Sequence, residues 1–383
     1  MLKKSIIVVL FVMLFCSFAF ADEDTIKIGA NVSLTGPSSM WGTSSLNALK
    51  MTVEKINQEG GVLGKKIEII AYDNRAFPPE AVIVNQRLIS RDHVAAIIGL
   101  GQSGTFIAAR TIAEEGKTPQ IGTTPTNPFA TVTEDGKPFE YSFRVCFIDP
   151  FQGKIAANFA YQELGARVAA IVYDVGSDYS AWLAQYFMDN FRALGGKVIK
   201  KEAFRSGELD FRAILGKIKP FPIDILYVPT MQKEAGLIAK QARGLGITVP
   251  LMGGDGVASP DLMVIGGEAT EGFYFTNIAD LADPALTDWV EEYRKIYKTD
   301  PVLPNPVMAV DALYVVVDAI KRAGTTDGPA LAKAIENTKN LKVLTTDSFS
   351  MDPLTHNPLN RPAVINVVKD GKFTFVMSYK GAE

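Results

Sequence analysis

The sequence predicts an α/β fold built from two doubly wound lobes, and three observations carry that expectation. Of the 383 residues, about 360 lie beyond a short leader, more than one hydrophobic core usually serves. Short β-rich runs alternate with amphipathic helical patterns along almost the whole chain. Two stretches also open alike, "KIGANVSLTGPSSMWG" after the leader and "RVAAIVYDVGSDYSAW" from residue 167. Each is a strand, a polar Gly/Ser turn and an aromatic at a helix start, which points to two Rossmann-like lobes of one plan.

Residues 1–21 read as a signal peptide: Lys3 and Lys4 form a basic start, an apolar run extends from Ile6 to Ala21, and Ala19-Phe20-Ala21 offers a small-x-small cleavage site. The run is too short and wrongly flanked for a membrane helix. Cleavage after Ala21 leaves 362 residues beginning at Asp22 and places the protein in the periplasm. The alternative is a lipoprotein anchored through Cys16, which the bulky Phe15 before it disfavours. Loss of Lys3 and Lys4 reduces 39 basic residues to 37 against 42 acidic ones, so the net charge goes from −3 to −5. That balance gives no sign of a nucleic-acid or polyanion partner. Cys146 is then the only mature cysteine. Its apolar and aromatic neighbours in "YSFRVCFID" make it a buried structural thiol, with a reactive thiol as the alternative.

The strands expected in order are "TIKIGANVS", "KIEIIAYD", "HVAAIIG", "TPQIGTT", "RVAAIVYD", "KVIKKEAF", "IDILYVPT" and "VPLMGG". Most are continuously apolar, as parallel strands covered on both faces should be. Between them Leu46, Leu49, Val53 and Ile56 form one helical stripe, and Ala235, Ile238, Ala239, Ala242 and Leu245 another. The first boundary between lobes falls near "FRVCFID" (143–149). From "GFYFTNIAD" onward the pattern changes to helices, "DPALTDWVEEYRKIYKT", "PVMAVDALYVVVDAIKRAG" and "GPALAKAIENT", then a final extended "RPAVINVVKDGKFTFVM". Helices without their own sheet return to the first lobe and the last strands to the second. The expected division is 22–143 plus 275–347 for the N-terminal lobe and 144–274 plus 348–383 for the C-terminal lobe, with several crossings forming a hinge.

"AAIIGLGQSGTFIAAR" (95–110) holds Gly99-x-Gly101-x-x-Gly104, a dinucleotide-like spacing. A true fingerprint occupies the first βα turn and is followed by an acid at the end of the next strand. This loop follows about the third strand, and "TPQIGTT" ends in threonines, so NAD is not expected. Glycines that admit close backbone approach, and free N–H groups at the helix opened by Ser103, suit a carboxylate instead. The plainer alternative is a tight turn with Ser103 as N-cap.

At "VSLTGPSSMWG", "INQEGGVLGKKIEIIAYDN" and "THNPLNRPAVINVVKDGKF" the chain resembles the type I periplasmic solute-binding proteins of ABC importers, above all the leucine/isoleucine/valine-binding subfamily. The resemblance extends through "IIGLGQSGT" and "PLMGGDGVASP" and covers essentially the whole mature chain in order. It implies a clam-shell of two lobes, three crossings at the hinge, and a ligand trapped between lobes and presented to membrane permease subunits. The disulfide that some relatives carry near the ligand loop is missing, since "NRAFPP" and "GLGQSG" contain no cysteine.

Carried onto this sequence, the resemblance makes Thr124 and Thr126 in "IGTTPTNP" carboxylate- and amine-binding residues, where the residues alone read as an ordinary turn. Trp41 and Tyr179 become aromatics covering the ligand, with packing as the alternative for each. Asp255, glycine-flanked at a strand end, becomes the group that binds an ammonium, with an Asx-turn or a helix cap as the alternative. Met231 in "ILYVPTMQKEAG" falls where some relatives carry an aromatic and shapes the pocket. Catalysis has little support: "GQSGT" is not the nucleophile elbow, and His93 and His356 lack a credible partner. No spacing suggests a metal, and no cofactor is expected. The function expected is capture of a neutral, hydrophobic amino acid by a monomeric ABC-transporter binding protein. The rivals are an aromatic-carboxylate or short-amide binder in the same role and a receptor sensory domain, the latter opposed by the lack of a membrane helix after the last strands.

Overall fold

The computed structural model describes residues 25–381; the expected signal peptide lies outside the described residues. The first lobe alternates strand and helix: β1 (Ile26–Val32), α1 (Ser39–Gln58), β2 (Ile67–Asp73), α2 (Pro78–Ser90), β3 (Ala96–Gly99), α3 (Ser103–Glu115), β4 (Gln120–Gly122) and β5 (Ser142–Arg144). These strands form a parallel sheet in the order β2-β1-β3-β4-β5. β3, β4 and β5 are buried at every residue, which explains why Arg144 is the one charged residue in them.

The second lobe repeats the plan with α4 (Asp149–Asn158), β6 (Val168–Asp174), α5 (Asp178–Ala193), β7 (Lys197–Phe204), α6 (Arg212–Ile218), β8 (Ile225–Tyr227), α7 (Gln232–Gly244), β9 (Leu251–Gly253), α8 (Asp261–Gly266) and β10 (Tyr274–Asn277). Its sheet order is β12-β11-β10-β9-β8-β6-β7, where β11 (Ala363–Lys369) and β12 (Lys372–Tyr379) form the closing antiparallel hairpin. Asp370 and Gly371 turn that hairpin with φ of 51° and 66°, the pair of left-handed residues that a tight two-residue connection requires.

Helices α9 (Thr287–Tyr297), α10 (Asn305–Ala323) and α11 (Gly328–Glu336) have no sheet of their own. α10 packs on α1 and β3, and α9 is tied to α1 by Ser44 Oγ to Tyr293 Oη at 3.1 Å and by Tyr297 Oη donating to the Asn47 carbonyl at 2.8 Å. Both belong to the first lobe.

Two of the expected lobe boundaries shift. Tyr274–Asn277 pairs with β9 and β11, so ladder bonds keep the chain in the second sheet past residue 275. On the return, the stretch after 348 stays with the first lobe: His356 stacks on Phe143 with centroids 4.2 Å apart, and the Arg144 N–H donates to the His356 carbonyl. The chain joins the second sheet only at Ala363. Three connections therefore pass between the sheets, after Arg144, after Asn277 and before Ala363. Arg361 ties two of them together, donating from Nε to the Val145 carbonyl at 2.8 Å and pairing with buried Asp311 of α10.

Candidate ligand site between the lobes

In the first sheet the chain goes from β1 to one side and then to the other, so strand order reverses between β1 and β3; in the second it reverses between β6 and β8. Open α/β sheets bind ligands outside the carboxyl ends of their strands at such switch points. The loops leaving all four strands meet here around a cavity of about 500 Å³. The two similar stretches noted in the sequence are the loops after β1 and β6, and each brings its aromatic to the cavity: Trp41 from one lobe, Tyr179 from the other.

The lobes touch across this space. Trp41 Nε1 donates to the Ala258 carbonyl at 3.1 Å, Gln232 Nε2 to the Pro37 carbonyl at 2.7 Å, and Asn127 Nδ2 to the Asp178 carbonyl at 3.1 Å. Phe129 meets Trp182 edge-on at 5.1 Å.

The glycine loop forms one wall. Gly99 has φ of 123° and no room for a Cβ against the Asn31 carbonyl, and a Cβ on Gly101 would meet Asn305 Nδ2 at 2.5 Å and Thr124 Oγ1 at 3.0 Å. Close packing of these two explains the fingerprint-like spacing; a Cβ on Gly104 would only make ordinary contact, with Asp178 Oδ2 at 3.7 Å and Pro78 at 3.8 Å. Gln102, not Ser103, holds the N-cap position, and Ser103 is the first residue of α3. Ser103 Oγ accepts from the Asn127 N–H at 3.2 Å. The N–H groups of Ser103, Gly104 and Thr105 open the helix toward the cavity, where the axial dipole favours an anion.

Thr124 lines the cavity. Its hydroxyl donates to the Gly101 carbonyl at 2.7 Å and accepts from Asn305 Nδ2 at 3.0 Å. Thr126 does not line it: the side chain is fully buried and lies against Asp149. The whole loop hangs on Arg144, a fully buried guanidinium that donates to the carbonyls of Pro125, Asn127 and Pro128 and to Thr131 Oγ1 at 2.6–2.9 Å. Loss of solvent lowers the Arg144 pKa to about 10, which leaves it charged at neutral pH.

On the facing wall, Asp255 starts a short 3-10 turn after β9 and is 6% exposed. It caps no helix. Gln152 Nε2 donates to its Oδ1 at 2.8 Å. Burial raises its pKa to about 6, a shift limited by hydrogen bonds from Gln152 and Tyr179. Tyr179 Oη also accepts from the Gly256 N–H at 3.0 Å, so the aromatic and the acid form one unit. Met231, the N-cap residue of α7, completes this side.

Six of the seven expected site residues, Trp41, Ser103, Thr124, Tyr179, Met231 and Asp255, thus face one cavity. Sequence reasoning missed Arg75, Asn305 and Glu234, which also line it. Asn305 carried a signal, an Asn-Pro pair at a helix start; Arg75 and Glu234 lie in segments that showed none. Cys146 is buried, and burial raises its thiol pKa to about 12.

A family model for periplasmic binding proteins matches residues 25–372. The chain belongs to that family. Its members are solute-binding proteins, and this protein is not an enzyme. Among solved structures it is similar to the leucine-binding protein LivK of Thermotoga maritima, with 35% identity, 92% of this chain and 98% of that one covered, and a TM-score of 0.85. It is similar to LivJ of Streptococcus pneumoniae, a branched-chain amino acid transporter substrate-binding protein in complex with isoleucine, at 30% identity over 93% and 99% of the chains with a TM-score of 0.85. A solute-binding protein of an ABC transporter from Rhodopseudomonas palustris, in complex with 3,4-dihydroxybenzoic acid, is 25% identical over 94% and 98% of the chains, with a TM-score of 0.82.

Proposed function

We propose that the protein captures a neutral, aliphatic α-amino acid between its lobes. One observation carries this: the cavity offers an anion site and an acid from opposite lobes. The start of α3 and Ser103 hold the carboxylate, and Asp255 takes the ammonium, with Trp41 and Tyr179 covering the ligand. A buried carboxylate with a raised pKa lacks a counter-charge, which an incoming ammonium supplies. Signal-peptide cleavage after Ala21 delivers the protein as a monomer to the periplasm, and the ligand-closed shape is what ABC permease subunits accept. Resemblance to the LivK and LivJ proteins supports this reading.

A second reading, an aromatic carboxylate, has the Rhodopseudomonas palustris protein and the size of the cavity in its favour. Leucine has nine non-hydrogen atoms, and even at about 30 Å³ each, the share of a liquid water, it leaves much of the 500 Å³ free. A thermal-shift series with the mature protein against amino acids, simple amides and benzoates separates the two. Selective stabilisation by leucine, isoleucine or valine, about 2.7 kcal/mol at a hundredfold excess over Kd, supports the first; stabilisation by benzoates alone replaces it with the second.

A further inference from the structure

Beneath the cavity, helix α4 starts where the chain crosses into the second lobe and turns two fully buried polar side chains, Asp149 and Gln152, to one face. Residues three apart on a helix are neighbours. Each is attached to a different wall of the site. The Asp149 N–H donates to the Thr126 carbonyl of the first lobe at 2.8 Å, while Gln152 Nε2 donates to Asp255 Oδ1 of the second. The other Gln152 atom, Oε1, is buried without a partner among the described residues. A buried amide with an unpaired oxygen is costly, and packing alone would be better served by a methionine or leucine. The one bond that Gln152 makes is the one that fixes the acid of the ligand site.

We infer that Gln152 is a positioning residue for the ligand's ammonium, holding the Asp255 carboxylate ionised and aimed into the cavity from a helix anchored at the hinge. This rests on the amino-acid reading above. Asp255 is also faced by Asp149 from α4, Tyr179 from α5, Tyr227 from β8 and Cys146 from the first crossing. The phenols and the thiol stay neutral through the range concerned, since burial pushes them upward. Arg144 stays charged. A hydrogen bond to the charged form lowers an acid's pKa, and Gln152 does this for Asp255. Removing it moves the acid limb of amino-acid binding to higher pH.

The test is calorimetric titration of leucine and of its des-amino analogue 4-methylpentanoate into wild type and Gln152→Met, a variant of similar volume without the donor, from about pH 5 to about pH 8. The expected result is an acid midpoint for leucine raised by about one unit, so that affinity is about tenfold weaker on the acid side of both midpoints and about twofold weaker near pH 7, with 4-methylpentanoate unaffected. In an Asp255→Asn background the same change has no further effect on leucine. If Gln152→Met does not fold, Gln152→Asn, whose shorter amide falls away from Asp255, moves the limb in the same direction. An unmoved midpoint, or equal losses for both ligands, overturns the role of Gln152. Failure of wild type to bind leucine at all instead overturns the amino-acid reading on which it rests.

Discussion

Replacing Asp255 by Asn keeps the side chain's size and its ability to accept from Gln152 while removing the charge. In the ligand-free protein burial raises the Asp255 pKa from 3.8 to about 6, and at about 1.4 kcal/mol per unit this is a penalty of about 3 kcal/mol on the ionised form. An ammonium bound against the carboxylate offsets a penalty of this size. Leucine should therefore bind Asp255→Asn about 3 kcal/mol, or about a hundredfold, less tightly near pH 7, within the range for losing one partner of a buried charge pair. The des-amino analogue 4-methylpentanoate should change little. The same substitution should stabilise the empty protein. An acid whose folded pKa is raised loses stability as pH climbs from its unfolded value through the folded one, so the gain is full near pH 7 and absent below about pH 4. Calorimetry gives the binding terms and melting curves the stability. Equal losses for both ligands, or no stabilisation of the empty protein, would refute the assignment of Asp255 as the ammonium's partner.

Other outcomes follow from the same geometry. Ser103→Ala should weaken leucine by about 1.5–3 kcal/mol, the range for a hydrogen bond to a charged group, and NAD should give no shift in any binding assay; unchanged leucine affinity reduces the glycine loop to a turn. Burial raises the Asp149 pKa well above the usual carboxylate range, so Asp149→Asn should raise the melting temperature at neutral pH and lose that gain toward about pH 4, and a lower melting temperature at pH 7 contradicts it. Arg144→Leu removes four hydrogen bonds from a charged group, each worth about 1.5–3 kcal/mol, and strands the Pro125 carbonyl; denaturant titration should show a loss above about 3 kcal/mol, and a milder effect would show that the ligand loop holds itself.

Alternation of apolar runs and helical stripes made both sheets legible before any coordinates, because parallel strands buried on two faces leave few polar residues to confuse the pattern. The quasi-repeat was informative for a physical reason: it marks the switch-point loops after β1 and β6, where both lobes must expose a turn and an aromatic to the cleft. Lobe boundaries were less legible. Nothing in "GFYFTNIAD" distinguishes a strand that ends a lobe from one that starts the next, and His356 joins the first lobe through a ring stack on a residue more than two hundred positions away. The burial of Thr126 is hidden by the same limit, since the loop around it hangs on Arg144, whose role appears only when its four acceptors are assembled. Gln152 gave no signal at all, being one polar residue on a helix whose burial is set from two lobes.

The central claim is that one cavity holds both charged ends of a neutral amino acid, the carboxylate at the start of α3 and the ammonium at Asp255. A single calorimetric comparison tests it most directly: leucine, 4-methylpentanoate, which lacks the ammonium, and 3-methylbutylamine, which lacks the carboxylate, titrated into the wild-type mature protein at neutral pH. The expected result is that leucine binds and each truncated analogue binds at least about a hundredfold more weakly, the equivalent of about 2.7 kcal/mol. Either analogue binding as tightly as leucine would contradict it.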